Sequence, residues 1–261
     1  MGKTNLKEQK AAKAALDSLH DQAASTIIIH YSCESFYDRP RGDSPRITSI
    51  AARRLDSGQT HSFSIHKIAE LHGADLAALE ADYDRFEKEM LDEFFDFVRL
   101  NDRCKWLHWN MRDANYGFAA IEHRYRVLQG NPVVIPDERK FDLARMLIEI
   151  YGPDYIGHPR LEELIDKNFI SRLAFMSGKE EADAFDRHDY VGLHQSTLRK
   201  IDIFANIFSR QINGSLKTKA SWWAKNGSSV TGALQGVMLH PLGILIFVVG
   251  AAIATYVGLF K

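Results

Sequence analysis

Residues 242–260, LGILIFVVGAAIATYVGLF, restrict the fold of this chain more than any other stretch. The run carries no charge, and as a helix it spans roughly 28 Å, close to the hydrocarbon thickness of a bilayer. A buried core helix of that length normally shows a polar face, and here only Thr255 and Tyr256 interrupt the apolar surface. The run therefore reads as a single transmembrane helix. Lys217, Lys219 and Lys225 precede it and Lys261 follows it. That bias predicts a single-pass inner-membrane protein whose N-terminal part is cytoplasmic. Trp222 and Trp223 suit an interfacial belt or a simple packing pair. Gly250, Ala254 and Gly258 fall on one stripe, where small residues let helices approach closely, so a homo-oligomer is expected. One span encloses no pore, and an ion channel would need several copies.

The rest of the chain has another character. Hydrophobic residues make up 45% of the 261 and charged residues 26%, an ordinary globular balance. With a net charge of −1, any surface for a polyanion must be local. Cys33 and Cys104 form no ligand or disulfide pattern, which suits a reducing compartment, and no residue pattern calls for a cofactor or a structural metal. Residues 1–24 read as an amphipathic arm with Leu6, Leu16 and Leu19 as sparse apolar members, either solvated or an oligomer contact. Residues 25–212 read as the main soluble domain. Residues 213–241 read as a linker or interfacial segment rich in Gly, Ser and Ala, before the helix at 242–260.

Within the soluble domain, STIIIHYSCESF (25–36) opens with a β-branched run and ends in a polar tip, a strand signature. RITSIAARRLDSG and QTHSFSIHK form a probable hairpin about Asp56, Ser57 and Gly58. Apolar residues at three- and four-residue steps predict a long helix over 75–100. CKWLHWN reads as a strand followed by a polar turn, FAAIEHRYRVL as a helix, and VVIPDERKFDLARMLIEIYG as a strand and a helix. PRLEELIDKNFI is a short helix and YVGLHQSTLRKIDIFANIFSRQI a long one. The expectation is an α/β domain: a mixed sheet with helices on both faces.

Three residue groups then stand out: Glu34 at the end of the first strand, Asn110 and Asp113 in HWNMRDANYGF, and His194 in LHQSTLRKIDIF. In that order they resemble the ribonuclease-H-like, DEDDh-type 3′–5′ exonucleases, over roughly residues 25–210. The family clamps two divalent cations about 4 Å apart between four carboxylates, with a His as general base. The chain departs from this pattern. Ser32 stands where the first Asp is expected, and Arg199 then Lys200 stand where the last is expected. Asp202 lies beyond that spacing, turned off the face by helical geometry. A serine cannot bridge two cations, and an added positive side chain repels them. Paired with Glu34 in place of metal, Arg199 or Lys200 would hold a phosphate directly.

The resemblance thus implies a pseudo-nuclease that reads an oligonucleotide, DNA or RNA. Its expected floor is Glu34, Arg199 and Lys200 beside His194, and its wall is Trp109, Asn110 and Arg112. Trp106 could add a stacking platform, and His123, Arg124 and Arg126 positive charge. The loop YDRPRGDSPR, with Asp38, Arg39, Arg41 and Asp43, is a candidate rim. A nucleic-acid reader fused to a self-associating membrane helix resembles, in architecture, bacterial anti-phage membrane effectors such as the Hailong type. Two alternatives stand beside this reading. One is a tail-anchored, metal-dependent exonuclease using Glu34, Asp113, His194 and Asp202; the other is a membrane-tethered protein-binding scaffold.

Overall fold

The computed structural model of the chain describes residues 6–34, 44–112 and 116–220. The elements run α1 (Leu6–Asp21), β1 (Thr26–Cys33), β2 (Ile47–Arg54), β3 (Thr60–Ser64), α2 (Ile65–Leu71) and α3 (Tyr83–Leu100). They continue with β4 (Lys105–His108), α4 (Phe118–Val127), β5 (Lys140–Asp142), α5 (Leu143–Tyr151), α6 (Arg160–Lys167), α7 (Gly178–Asp186) and α8 (Tyr190–Ile212). Two compact units are present. One holds the sheet and comprises the described residues among 15–145 and 158–217; the other comprises, among the described residues, 6–14, 146–157 and 218–220. Within the smaller unit, Gln9 Nε2 donates to the Ile150 carbonyl (2.5 Å) and Lys219 N–H to the Tyr155 carbonyl (2.6 Å).

The larger unit is α/β. Its five strands lie in the order β3-β2-β1-β4-β5, with β1–β2 and β2–β3 antiparallel and β1–β4 and β4–β5 parallel. β1 is central and buried along its whole length, which is what its β-branched run favours. Alternation along the strand sorts its side chains to two helical layers. Ile27, Ile29, Tyr31 and Cys33 join Phe86, Met90 and Phe94 of α3 in the main core. His30 and Ser32 face the other way, under α8, which packs across β1 and β2. Leu16 and Leu19 of α1 are fully buried, so this part of the N-terminal segment is core rather than a solvated arm.

Four boundaries differ from the sequence expectation. Residues 76–82 form a 3₁₀ segment ahead of α3, because apolar steps of three and four serve both geometries. The strand predicted over 59–67 ends at Ser64, where α2 begins. The short strand expected within VVIPDERKFDLARMLIEIYG forms at Lys140–Asp142, past VVI at 133–135, which Pro132 and Pro136 bracket. α7 was not expected, although a capping box marks its start: Glu180 N–H donates to Ser177 Oγ, and Ser177 N–H donates to the Glu180 carboxylate. Among the described residues no helix is long and apolar enough to cross a membrane. Residues 242–260, with Gly250, Ala254 and Gly258, lie outside them.

Packing behind the sheet is tight. Tyr125 stacks on Phe95 (centroids 4.5 Å apart, planes 16°), and a Cβ placed on Gly130 would sit 2.2 Å from the Tyr125 ring. Gly130→Ala is therefore expected to lower stability by about 1–3 kcal/mol, the usual range for overpacking, read as a lower denaturation midpoint.

Candidate nucleic-acid interface

The ladder register builds the site. Ser32 on β1 pairs with Ser49 on β2, and Ser49 with Ser64 on β3, so a row of hydroxyls crosses three strands. Helix α8 lies on that row. Thr197 Oγ1 is 2.8 Å from Ser32 Oγ and 2.6 Å from Ser49 Oγ. From α7, the fully buried Glu181 reaches in with one oxygen. Its Oε1 accepts from Ser32 Oγ (3.0 Å), Ser196 Oγ (2.8 Å) and Lys200 Nζ (2.6 Å). The position expected to carry a metal-bridging carboxylate thus holds a serine bonded to a buried lysine–glutamate pair.

This corrects one sequence expectation. The partner of Lys200 is Glu181, not Glu34, and Arg199 donates from Nε and a terminal nitrogen to the Ser171 carbonyl. Successive helical residues point about 100° apart, so Arg199 and Lys200 cannot both face the sheet. Glu34 sits at the end of β1, where its backbone N–H donates to the Arg46 carbonyl and its Oε2 accepts from Arg46 N–H (3.4 Å). Asp202 pairs with Arg53 (2.7 Å) at the surface. Asp113 and the loop holding Asp38, Arg39, Arg41 and Asp43 lie outside the described residues. Among the described residues, no three His, Cys, Asp or Glu side chains are grouped to hold a metal.

His194 is buried, with its ring 4.9 Å from that of His66 on α2. Burial holds the His194 imidazole far below its ordinary range, at about 3, and the Lys67 charge and His66 add to the effect. The ring is therefore neutral across physiological pH. Its Nε2 and His66 Nδ1 have no hydrogen-bond partner among the described residues.

Beside the lysine–glutamate pair, a cavity of about 360 Å³ opens between β1, the end of β4 and α8. His30, Trp109, Asn110, Tyr116, Lys200 and Phe204 line it, with Leu161 and Gly178. Three of the seven predicted binding residues, Trp109, Asn110 and Lys200, meet here. Trp109 stacks on Phe204, with centroids 5.7 Å apart and planes only 10° from parallel. Tyr116 Oη donates to the Tyr31 carbonyl (3.3 Å) and lies 3.3 Å from His30 Nδ1. Nδ1 of His30 then donates to Tyr116 Oη, which leaves Nε2 a buried acceptor with no partner among the described residues. Burial first, and the Lys200 charge second, keep His30 neutral by lowering its pKa well below the ordinary value. The one charged lining group, Lys200, is already paired with Glu181, so the neutral polar groups and the stacked aromatic pair suit a planar polar ring better than a bare phosphate.

The loop after β4 separates this cavity from a second one of about 420 Å³, which His108, Met111, Arg112, Phe118, Lys140 and Asp142 help to line. Arg112 is ion-paired to Asp142 through Nε and donates to Asn110 Oδ1 (3.1 Å), leaving about half of its side chain exposed. Asp142 Oδ1 also accepts from Asn110 N–H and, at the start of α5, from Ala144 N–H, each at 3.0 Å. One buried carboxylate therefore fixes both the wall residue Asn110, held at a positive φ of 57°, and the cation Arg112. Two other expected contributors are structural. Trp106 is buried against Phe97, and Arg124 is buried on Glu87.

Comparison with family models, curated proteins and solved structures gives no match for the chain.

Proposed function

We propose that the larger unit is a ribonuclease-H-like domain that binds a DNA or RNA oligonucleotide without cutting it. In this reading residues 242–260 tie the domain to the bilayer, and the bound oligonucleotide biases a homo-oligomeric assembly of membrane helices in anti-phage defence. The observation that carries the proposal is the exchange at the end of β1. A Lys200–Glu181 pair, bonded to Ser32 and Ser196, fills the place where cation-bridging carboxylates are expected, and it adjoins the Trp109–Phe204 cavity. Three antiparallel strands followed by two parallel ones, with helices on both faces, support the fold assignment.

The chemistry follows from the lining. A base entering the cavity meets the Trp109–Phe204 platform, the His30 Nε2 acceptor and the Asn110 amide. The flanking backbone can meet Arg112 across the loop, where a guanidinium suits phosphate geometry. A ligand shifts an assembly equilibrium only through a difference in affinity for its two states, so gating requires the loop at 109–112 to differ between them.

The test uses the full chain in detergent with a labelled single-stranded oligonucleotide and Mg²⁺. Retention without shortening is expected. Trp109→Ala is expected to weaken binding by about 1–3 kcal/mol, roughly five- to 150-fold, by loss of base stacking. Unchanged affinity in that variant would end the proposal. Metal-dependent shortening lost on Glu34→Gln would establish the exonuclease instead, and no nucleic-acid binding at all would favour the protein scaffold.

A further inference from the structure

Local backbone chemistry at the end of α6 conflicts with the residue found there. The helix closes in a Schellman turn: Ile170 N–H donates to the Ile165 carbonyl (2.9 Å), and Phe169 takes a φ of +54° just past the Asn168 cap. Glycine is the residue that adopts this left-handed position without steric penalty, and a bulky aromatic side chain there is rare. The Phe169 ring gains little packing in return, being 83% exposed. Leu173, four residues on, is 81% exposed in the same loop. Strain kept in order to display an apolar side chain points to a contact outside the domain.

The same loop is fastened to the place where the chain leaves this unit. Buried Asn168 donates from Nδ2 to the Lys217 carbonyl (3.0 Å) and accepts from Lys217 N–H at Oδ1 (2.8 Å). Lys217 Nζ lies over the Phe169 ring, 4.9 Å from its centroid. In sequence, Trp222 and Trp223 follow shortly after, and then the uncharged run at 242–260. An exposed apolar side chain with Lys217 over its ring, beside an Arg172 neutralised by Asp166 and Glu162, forms the pattern of a surface that dips into a lipid headgroup layer.

We infer that the 168–173 loop is a membrane-docking element: Phe169 and Leu173 insert into the bilayer interface, with Lys217 at headgroup level. The inference rests on the reading that residues 242–260 span the bilayer. It adds that this face of the soluble unit lies against the membrane.

The test places the full chain in vesicles of phosphatidylethanolamine and phosphatidylglycerol. A Cys introduced by Leu173→Cys carries an environment-sensitive fluorophore, and lipids bearing a shallow nitroxide act as quenchers. Cys33 and Cys104 are buried, so the added thiol is the one labelled. Leu71→Cys, at a site 76% exposed on α2, is the control. Quenching severalfold stronger at 173 than at 71 is expected. A chain that floats with the vesicles but quenches equally at both sites overturns the inference and leaves the anchoring intact. A chain that does not float removes the anchoring, and the inference with it. Phe169→Gly supplies an independent readout: it is expected to raise the thermal midpoint while reducing quenching at 173. A lowered midpoint would show that Phe169 serves the fold rather than the membrane.

Discussion

Glu181→Leu is expected to destabilise the larger unit by about 3–5 kcal/mol, because it removes one partner of a buried ion pair and strands the other. The Glu181 side chain has no exposed surface and that of Lys200 only 7%. The loss therefore leaves an ammonium with no counter-charge, while Ser32 and Ser196 lose the oxygen to which both donate. Removing the whole motif behaves differently. The double variant Glu181→Leu/Lys200→Met strands no charge and is expected to recover most of the loss, since apolar replacement of a buried pair is often neutral. Denaturant unfolding followed by tryptophan fluorescence measures both. A single variant within about 1 kcal/mol of the parent would mean that the pair is solvated and the site more open than described. The double variant also separates stability from binding: it should fold, yet lose whatever Lys200 contributes to the ligand.

Acid is expected to unfold the domain earlier than carboxylate titration alone would. Four buried histidines lie below the ordinary imidazole value, His66 among them. His194 titrates at about 3 and His108 at about 4, while His30 lies well below its ordinary value. Burial is the leading cause for each; at His108 it outweighs the opposing Asp142 carboxylate, with Arg112 and Lys140 acting in its favour. In the unfolded chain these rings take up a proton near pH 6.5, and in the folded chain they do not. The unfolded state thus binds more protons below pH 6.5, and stability falls as pH drops from there toward the folded values of 4 and 3. For His194 alone, the loss between pH 7 and pH 4 comes to about 3 kcal/mol. His194→Gln, which cannot titrate, is expected to flatten that slope. An identical pH dependence in the variant would show that His194 is solvated.

Much of the scaffold was legible from local pattern. The β-branched run of β1 fixed a buried strand, the Asp56–Gly58 turn fixed a hairpin, and the apolar spacing of YVGLHQSTLRKIDIFANIFSRQI matched α8 from end to end. These signals are periodic and short-range, so one chain carries them unaided. Part of the cavity lining was equally legible, since Trp109, Asn110 and Lys200 line it together. Glu181 was missed although the capping box just before it marks the start of α7, because nothing in a short acidic helix tells which carboxylate turns inward. The row Ser32–Ser49–Ser64 was invisible for a similar reason: three separate serines become neighbours only through strand register.

By itself, the sequence determined most elements of the α/β unit, the absence of a carboxylate at Ser32 and the uncharged run at 242–260. Those follow from residue type and spacing, which act over a turn of helix or a few residues of strand. Only the tertiary structure decided that Lys200 belongs to Glu181 and that Arg199 faces away. It also decided that Phe169 is displayed beside Lys217. Such pairings depend on register and on helix rotation over the sheet, where a shift of one residue turns a side chain to the opposite face.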